Sequence, residues 1–260
     1  MGKSLISAAI VAAFLLCTLP LAGKCESLVS NQLVAKSLKA NERGMYYIQK
    51  KDFKQAEALF RESLKLNPRN LTAAYNLAGV LAVEKREKEA ISLLEGIVKE
   101  RPKDAGIFER LGDLYFGTED IESAKKYYEK SLAINGDNSK LAVKLGAIYL
   151  LKGNLSKAEK MYKKAVKLSP TDPSALENLG GILLANGKPK EAIRAAKRAL
   201  QLSPSSNAYI TLGSSYEETG NLKEALISFK KAQALGDNSE KLKEKIKSLE
   251  HRLKEADKTD

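Results

Sequence analysis

The sequence predicts an all-α fold built from repeated helical pairs, and two periodic columns of small residues are the main reason. The first column holds glycine or alanine at spacings of 34, 34, 34, 34 and 33 residues. Its members are Gly44, Ala78, Gly112, Gly146, Gly180 and Gly213. The second column lies twelve residues further on and is alanine throughout, at Ala56, Ala90, Ala124, Ala158, Ala192 and Ala225. A fixed period of this length is typical of architectures in which each unit packs on its neighbours.

Large side chains mark two helices in each period. They follow the first small column by three residues, at Tyr47, Leu81, Tyr115, Tyr149, Leu183 and Tyr216. They follow the alanine column by four residues, at Phe60, Leu94, Tyr128, Tyr162 and Phe229, with Ala196 in the fifth period. Most periods end at a proline, which cannot continue a helix. Each period is therefore predicted to be a helix, a short turn, a second helix and a connecting turn.

The first small column also predicts how the two helices pack. Glycine inside a helix costs roughly 1 kcal/mol relative to alanine, so a close contact must compensate for it. We predict that this column faces the alanine column, because small side chains let two helix backbones approach closely. The twelve residues of the two columns are thus predicted packing positions.

The segments NLAGVL, RLGDLY, KLGAIY, NLGGIL and TLGSSY, followed by helices such as SKAEKMYKKAVKLSP, resemble the tetratricopeptide repeat. Small residues at the eighth and twentieth positions of a 34-residue unit carry this resemblance, with a large residue at the twenty-fourth and proline at the thirty-second. The resemblance implies a right-handed α-solenoid with a concave and a convex surface. Its six helix-turn-helix units are predicted at residues 37–70, 71–104, 105–138, 139–172, 173–205 and 206–237.

The segments that flank the repeats are predicted to close the ends of the stack. Residues 24–36 lead into the first unit. Residues 238–260 carry Leu242, Ile246, Leu249 and Leu253 at helical spacing, with charged residues between them. This stripe predicts a capping helix on the last unit, because terminal repeats need a polar outer face. Pairing of the same stripe with a helix of a partner protein is the alternative.

Residues 1–23 predict export across a membrane, to the periplasm or the cell exterior. Lys3 precedes an uncharged run, Leu5 to Leu16, and Pro20 comes before small residues. This order is typical of a signal peptide, with cleavage predicted after Gly23. An uncleaved membrane anchor is an alternative, since about 20 apolar residues span a bilayer. The segment LPLAGKC also resembles a lipoprotein signal, in which Cys25 would carry lipid, although Lys24 intervenes.

The sequence offers little for catalysis. His251 is the sole histidine, which excludes a multi-histidine metal site. The glycines of LGGILLANG lack the spacing of a phosphate-binding loop and follow no predicted strand. The chain is therefore predicted to be no enzyme and to bind neither a metal nor a cofactor.

The resemblance implies that residues two and six positions before the first small column project into the concave groove. The groove residues predicted to contact a partner are Asn76, Arg110, Lys140, Lys144 and Asn178. Amide and cationic side chains suit an extended acidic peptide or a chain-terminal carboxylate. The match to the carboxylate clamp of chaperone-binding members is incomplete, because Tyr75 and Gly79 stand where lysine and asparagine are expected. Binding of a chaperone tail is therefore not predicted.

The net charge suggests a second candidate binding surface, different from the concave groove. The chain carries +12 at pH 7, and many of its cations lie on the second helices of the last three units. Those predicted for the convex face are Lys160, Lys163, Lys164, Lys167, Arg194, Lys197, Arg198, Lys230 and Lys231. Such a face attracts anionic surfaces. Aromatic residues that would stack on bases are not interleaved with these cations, so nucleic acid is not a predicted partner.

These observations predict a protein-protein interaction scaffold that binds a partner peptide or helix in its concave groove. Assembly of envelope complexes, secretion systems or pili is the setting that the architecture suggests. The alternative function is a tether that holds an anionic membrane or an acidic polymer on the basic convex face.

Overall fold

The computed structural model describes residues 30–100 and 102–256, and within them it contains thirteen α-helices and no strand. The helices are α1 (30–49), α2 (Phe53–Leu66), α3 (Leu71–Val83), α4 (Glu87–Glu100), α5 (Ala105–Gly117), α6 (Ile121–Ile134), α7 (Ser139–Leu151), α8 (Leu155–Leu168), α9 (Pro173–Ala185), α10 (Pro189–Leu202), α11 (Ser206–Glu218), α12 (Leu222–Ala234) and α13 (Glu240–Ala256). The predicted signal segment, residues 1–23, and Cys25 lie outside the described residues, so export stays a prediction. Across the described part of the chain, every helix is too short or too polar to cross a membrane.

The helices form two compact units that divide after Glu119. Unit 1 contains α1 to α5, and unit 2 contains α6 to α13. Helices that are consecutive in the chain pack on one another within each unit. The division falls between the two helices of the third predicted repeat.

Short polar side chains start most of these helices. Each accepts a hydrogen bond from the backbone N–H three residues further on, which satisfies one of the free donors of the first turn. The capping residues are Asp52, Asn70, Asp104, Asp120, Asn138, Asn154, Asp172 and Ser205. Because they recur at two fixed positions of the period, they set the start of both helices in a repeat.

Three glycines of the first small column make their closest contact with an aromatic ring, whereas a Cβ added at Gly180 would lie 3.7 Å from the carbonyl oxygen of Ala192 in the alanine column. A Cβ added at Gly146 would lie 2.7 Å from Cε1 of Tyr162. At Gly44 the distance to Phe60 would be 2.5 Å, and at Gly213 the distance to Phe229 would be 2.7 Å. The alanine column is itself fully buried in all six periods. In the periods of Gly44, Gly146 and Gly213, the ring four residues after the alanine fills the space that the glycine leaves.

Helix α13 covers the end of unit 2. Its Leu242, Ile246 and Leu249 are buried against Phe229 and Ala232 of α12. Three of the four residues of the predicted stripe are thus used inside the chain as a cap, and the fourth, Leu253, is half-buried.

A buried carboxylate joins two neighbouring repeats of unit 2. Glu159 of α8 is 6% exposed and accepts hydrogen bonds from Lys188 at 2.8 Å and from Asn186, both in the next repeat. Lys163 lies 2.7 Å from the same carboxylate. Burial raises the pKa of Glu159, but the hydrogen bonds from Lys163, Lys188 and Asn186 outweigh it and lower that pKa to about 2.

The same arrangement occurs in unit 1. There Glu57 lies 2.7 Å from Arg61 and 3.0 Å from Arg86. Glu57, Arg61 and Arg86 each lie 102 positions before Glu159, Lys163 and Lys188. Burial raises the pKa of Glu57, and hydrogen bonds from Arg86 and Arg61 lower it further than burial raises it. Two junctions, three repeats apart, therefore use the same ionic contact.

We expect replacement of Glu159 by glutamine to destabilise unit 2 by about 1–2 kcal/mol at pH 7, because charged donors then face a neutral amide. The folded pKa of Glu159 is depressed, so its contribution is complete above the unfolded value of 4.5 and disappears as the pH falls towards 2. Urea unfolding at pH 7 and at pH 3 measures this.

The matched control for this prediction is Glu191→Gln. Glu191 is 3.9 Å from Lys163 and its side chain is 42% exposed, so its loss should change stability by less than about 0.5 kcal/mol. Equal losses in the two variants at pH 7, or a Glu159→Gln deficit that persists unchanged at pH 3, would contradict the proposed role of the buried carboxylate.

Candidate binding pocket

Unit 1 contains a concave cavity of about 200 Å³, formed by side chains from four helices. Its lining residues are Met45, Ile48, Phe53, Asn76, Gly79, Val80, Val83 and Arg110. We name this cavity the apolar pocket. Helix α1 supplies Met45 and Ile48, the first residue of α2 is Phe53, α3 supplies the segment from Asn76 to Val83, and α5 supplies Arg110. Two of the predicted groove residues, Asn76 and Arg110, thus meet at one site.

Arg110 is the one charged side chain in the lining of the apolar pocket. Its guanidinium carbon lies 4.1 Å from the centre of the Tyr75 ring, which is a close cation-π contact. Its Nε is buried and donates no hydrogen bond within the described residues. A Cβ added at Gly79 would lie 3.8 Å from Nη2, which is an ordinary contact distance. Tyr75, which departs from the carboxylate clamp, therefore positions this arginine.

Asn76 is held in place by a residue that the sequence did not single out. Its Nδ2 donates a hydrogen bond of 3.0 Å to Oδ1 of Asn41 on α1. Asn41 is 8% exposed, so this contact is largely shielded from water. The hydrogen bond fixes the amide of Asn76 at the edge of the apolar pocket.

A second cavity of about 200 Å³ lies beside the first in unit 1. Its lining residues are Leu71, Thr72, Tyr75, Asp104 and Ile107, and we name it the tyrosine pocket. Arg110 lines the apolar pocket and Tyr75 lines the tyrosine pocket, and the two side chains stack on each other. The stacked pair therefore stands where the two cavities meet.

The other predicted groove residues belong to unit 2. Lys140 and Asn178 are exposed. Lys144 is half-buried, and its Nζ lies 5.6 Å from the centre of the Tyr128 ring. Of the five predicted groove residues, Asn76 and Arg110 therefore belong to unit 1, and Lys140, Lys144 and Asn178 belong to unit 2.

Many of the cations predicted for the convex face have partners within unit 2. Lys163 pairs with Glu159, and Lys230 lies 2.7 Å from Glu250 of α13. Arg198 donates to the carbonyl oxygen of Pro170 at 3.2 Å. Lys197 and Lys231 lie over the rings of Tyr216 and Tyr209 at 5.5 and 5.6 Å, whereas Lys160, Lys164, Lys167 and Arg194 are exposed or half-buried at the surface. These contacts reduce the charge available to an anionic surface.

Sequence reasoning missed the apolar side chains of the pocket. Met45 and Val83 are apolar but lie outside the packing columns, and their side chains are 40% and 60% exposed. The sequence signal that could have identified them is an apolar residue at a helix position that the periodic packing pattern does not use. Within the described residues, no group of histidine, cysteine, aspartate or glutamate side chains could hold a metal ion.

Comparisons with known proteins identify the repeats. A family model described as tetratricopeptide repeat matches residues 47–109. A second model, described as the middle TPR-like domain of cilia and flagella-associated protein 70, matches residues 108–236. A curated relative, protein O-mannosyl-transferase Tmtc3 of Drosophila melanogaster, is 29% identical over 98 residues. The match covers 37% of this chain and only 11% of that relative.

Solved structures share the fold. PilF of Pseudomonas aeruginosa has a TM-score of 0.70 at 15% identity, covering 85% of this chain and 99% of its own. YrrB, described as a TPR protein with an unusual peptide-binding site, has a TM-score of 0.65 at 21% identity and covers 75% and 97%. MamA AMB-1 has a TM-score of 0.57 at 29% identity and covers 64% and 99%. With the all-helical described residues, these neighbours confirm the predicted all-α helical-repeat solenoid.

Proposed function

Because the chain belongs to the tetratricopeptide repeat family, whose members build protein-interaction scaffolds, we propose that it binds an extended segment of a partner protein in the apolar pocket. Repeats of this family are typically non-enzymatic, and the proposal concerns binding alone. The observation that carries it is the combination of an open apolar cavity with a positioned cation, Arg110, at its edge.

The apolar side chains of the pocket supply a driving force for binding. Met45 and Val83 are 40% and 60% exposed, although similar side chains elsewhere in unit 1 are buried. Burial of apolar surface stabilises a complex by roughly 25 cal/mol per Å² before the costs of association are counted. An exposed apolar cavity with a polar edge is also the usual form of a recognition site. YrrB, which shares the fold, is described as having a peptide-binding site, and this agrees with the proposed class of ligand.

The test selects ligands and then changes the pocket. The purified full chain is used to select binders from a displayed library of random peptides, and affinities of the selected peptides are measured by titration. Val83→Glu places a charge among the apolar lining residues, and we expect it to weaken binding at least about tenfold.

The matched control is Ile227→Glu on α12. Ile227 is 54% exposed, belongs to unit 2 and is not a lining residue of the apolar pocket, so this variant should bind the selected peptides as the unchanged chain does. Circular dichroism of both variants reports whether the helices are intact. Equal affinity of the Val83→Glu variant and the unchanged chain would refute the pocket as the binding site.

A further inference from the structure

The state of Arg110 indicates what kind of group the apolar pocket lacks. Leaving a buried donor without an acceptor is unfavourable, so an incoming acceptor regains that free energy. Within the described residues, Arg110 has no ion-pair partner, although Arg61 and Arg86 of the same unit each pair with glutamates. Its stacking on Tyr75 restricts the guanidinium and lowers the entropy cost of pairing. The missing partner is an anionic acceptor, and a carboxylate is the group in proteins that fits a guanidinium.

The neighbouring cavity indicates where the ligand chain goes. The tyrosine pocket continues from the stacked pair, and Asp104 is part of its lining. A ligand that ended at Arg110 would leave this cavity empty. A main chain that continues past Arg110 carries no net charge over the tyrosine pocket. The geometry therefore favours an internal acidic side chain over a chain terminus.

We propose, building on the proposed function, that the apolar pocket recognises an internal sequence pattern. The pattern is a large apolar side chain that enters the cavity and an aspartate or glutamate two residues away that pairs with Arg110. In an extended segment, residues two apart point to the same side, so both groups reach the protein together. The segment then continues across the tyrosine pocket.

Unit 2 contains the same sequence positions without the cation. Asn178 and Gly181 lie 102 positions after Asn76 and Gly79, and Thr211 stands in the repeat position of Arg110. Thr211 carries no charge, so the repeats that carry Asn178 and Gly181 cannot make the same ion pair. Lys144 of unit 2 also occupies the repeat position of Arg110, but it is an ammonium without the planar fork of a guanidinium.

The test repeats the peptide selection with variants of Arg110. The library consists of displayed random peptides with blocked C-termini, and a second library presents free C-termini. Enriched sequences are compared for the unchanged chain, Arg110→Gln, Arg110→Lys and the control Arg69→Gln, which changes an exposed arginine elsewhere in unit 1. Circular dichroism reports whether each variant is folded, and Arg110→Lys retains the charge.

The unchanged chain and Arg69→Gln should enrich peptides with Asp or Glu two residues from Leu, Ile, Met or Phe. Arg110→Gln should lose the acidic preference about tenfold and keep the apolar one, whereas Arg110→Lys should keep both. Three outcomes would overturn this inference while the proposed function stands. They are enrichment of apolar peptides without an acidic preference, an acidic preference that survives in Arg110→Gln, and enrichment only of peptides with free C-termini. Peptides insensitive to Val83→Glu would overturn the proposed function itself.

Discussion

Replacement of Phe229 by alanine is expected to destabilise unit 2 by about 3–5 kcal/mol, the usual cost of removing a buried phenylalanine ring. Phe229 is fully buried. One edge of its ring fills the space beside Gly213, and the ring also packs in the cluster that contains Leu242 and Leu249 of α13. The substitution therefore leaves a cavity between α11, α12 and the capping helix, and glycine at position 213 has no side chain to fill it.

Urea unfolding followed by circular dichroism measures this change, and hydrogen exchange of the α13 amides shows where it acts. Ile227→Ala is the matched control, since Ile227 is on the same helix and is 54% exposed. It should change stability by less than about 1 kcal/mol. If the two variants lost the same stability, or if α13 kept its protection in Phe229→Ala, the ring would not be what holds the cap.

Replacement of Gly146 by alanine is expected to destabilise unit 2 by about 1–3 kcal/mol, although alanine is the better helix former by roughly 1 kcal/mol. The added Cβ would lie 2.7 Å from Cε1 and 2.9 Å from Cδ1 of Tyr162. The Tyr162 side chain is 3% exposed and packs among Ala158, Leu179 and Leu183, so its ring has little room to move. Steric overlap therefore outweighs the gain in helix propensity.

Gly180→Ala is the matched control, because it makes the same change at the same position of the next repeat. The residue that faces it is Ala196 in place of an aromatic ring, and the nearest atom to an added Cβ would be Cγ2 of Thr211 at 3.4 Å. This is ordinary contact, so we expect stability to stay unchanged or to rise by up to about 1 kcal/mol. Thermal unfolding of both variants should show opposite or clearly unequal shifts, and equal shifts would refute the steric explanation.

The periodic part of the fold could be predicted because it depends on short-range order. Apolar residues at helical spacing, prolines at the ends of the periods and small residues at fixed positions each act within one or two helical turns. They predicted paired helices, and they predicted the buried stripe of α13. The aromatic rings that lie against Gly44, Gly146 and Gly213 were not predicted as their contacts, because spacing along one helix does not fix the register of the next.

The candidate site could be predicted only in part. Asn76 and Arg110 were predicted from their place in the period, and the structure brings them to one pocket. The roles of Asn41 and Tyr75 were not predicted, because these residues meet their partners on other helices. Asn41 and Asn76 are 35 residues apart, as are Tyr75 and Arg110. A pattern of 34 residues shows that such positions are neighbours, but it does not show which side chains touch.

By itself, the sequence determined the all-α repeat, the helical pairs and the residues available to a binding face, because helix period and turn chemistry are local properties of the chain. Tertiary structure decided which of these residues have partners. Tyr115 donates to Glu95 at 2.8 Å, and Lys188 pairs with Glu159, although nothing in the local sequence identifies Glu95 and Glu159 as these partners. Arg110 was left without an acceptor by the same packing. Such contacts depend on the distance between helices, which only the packed side chains set.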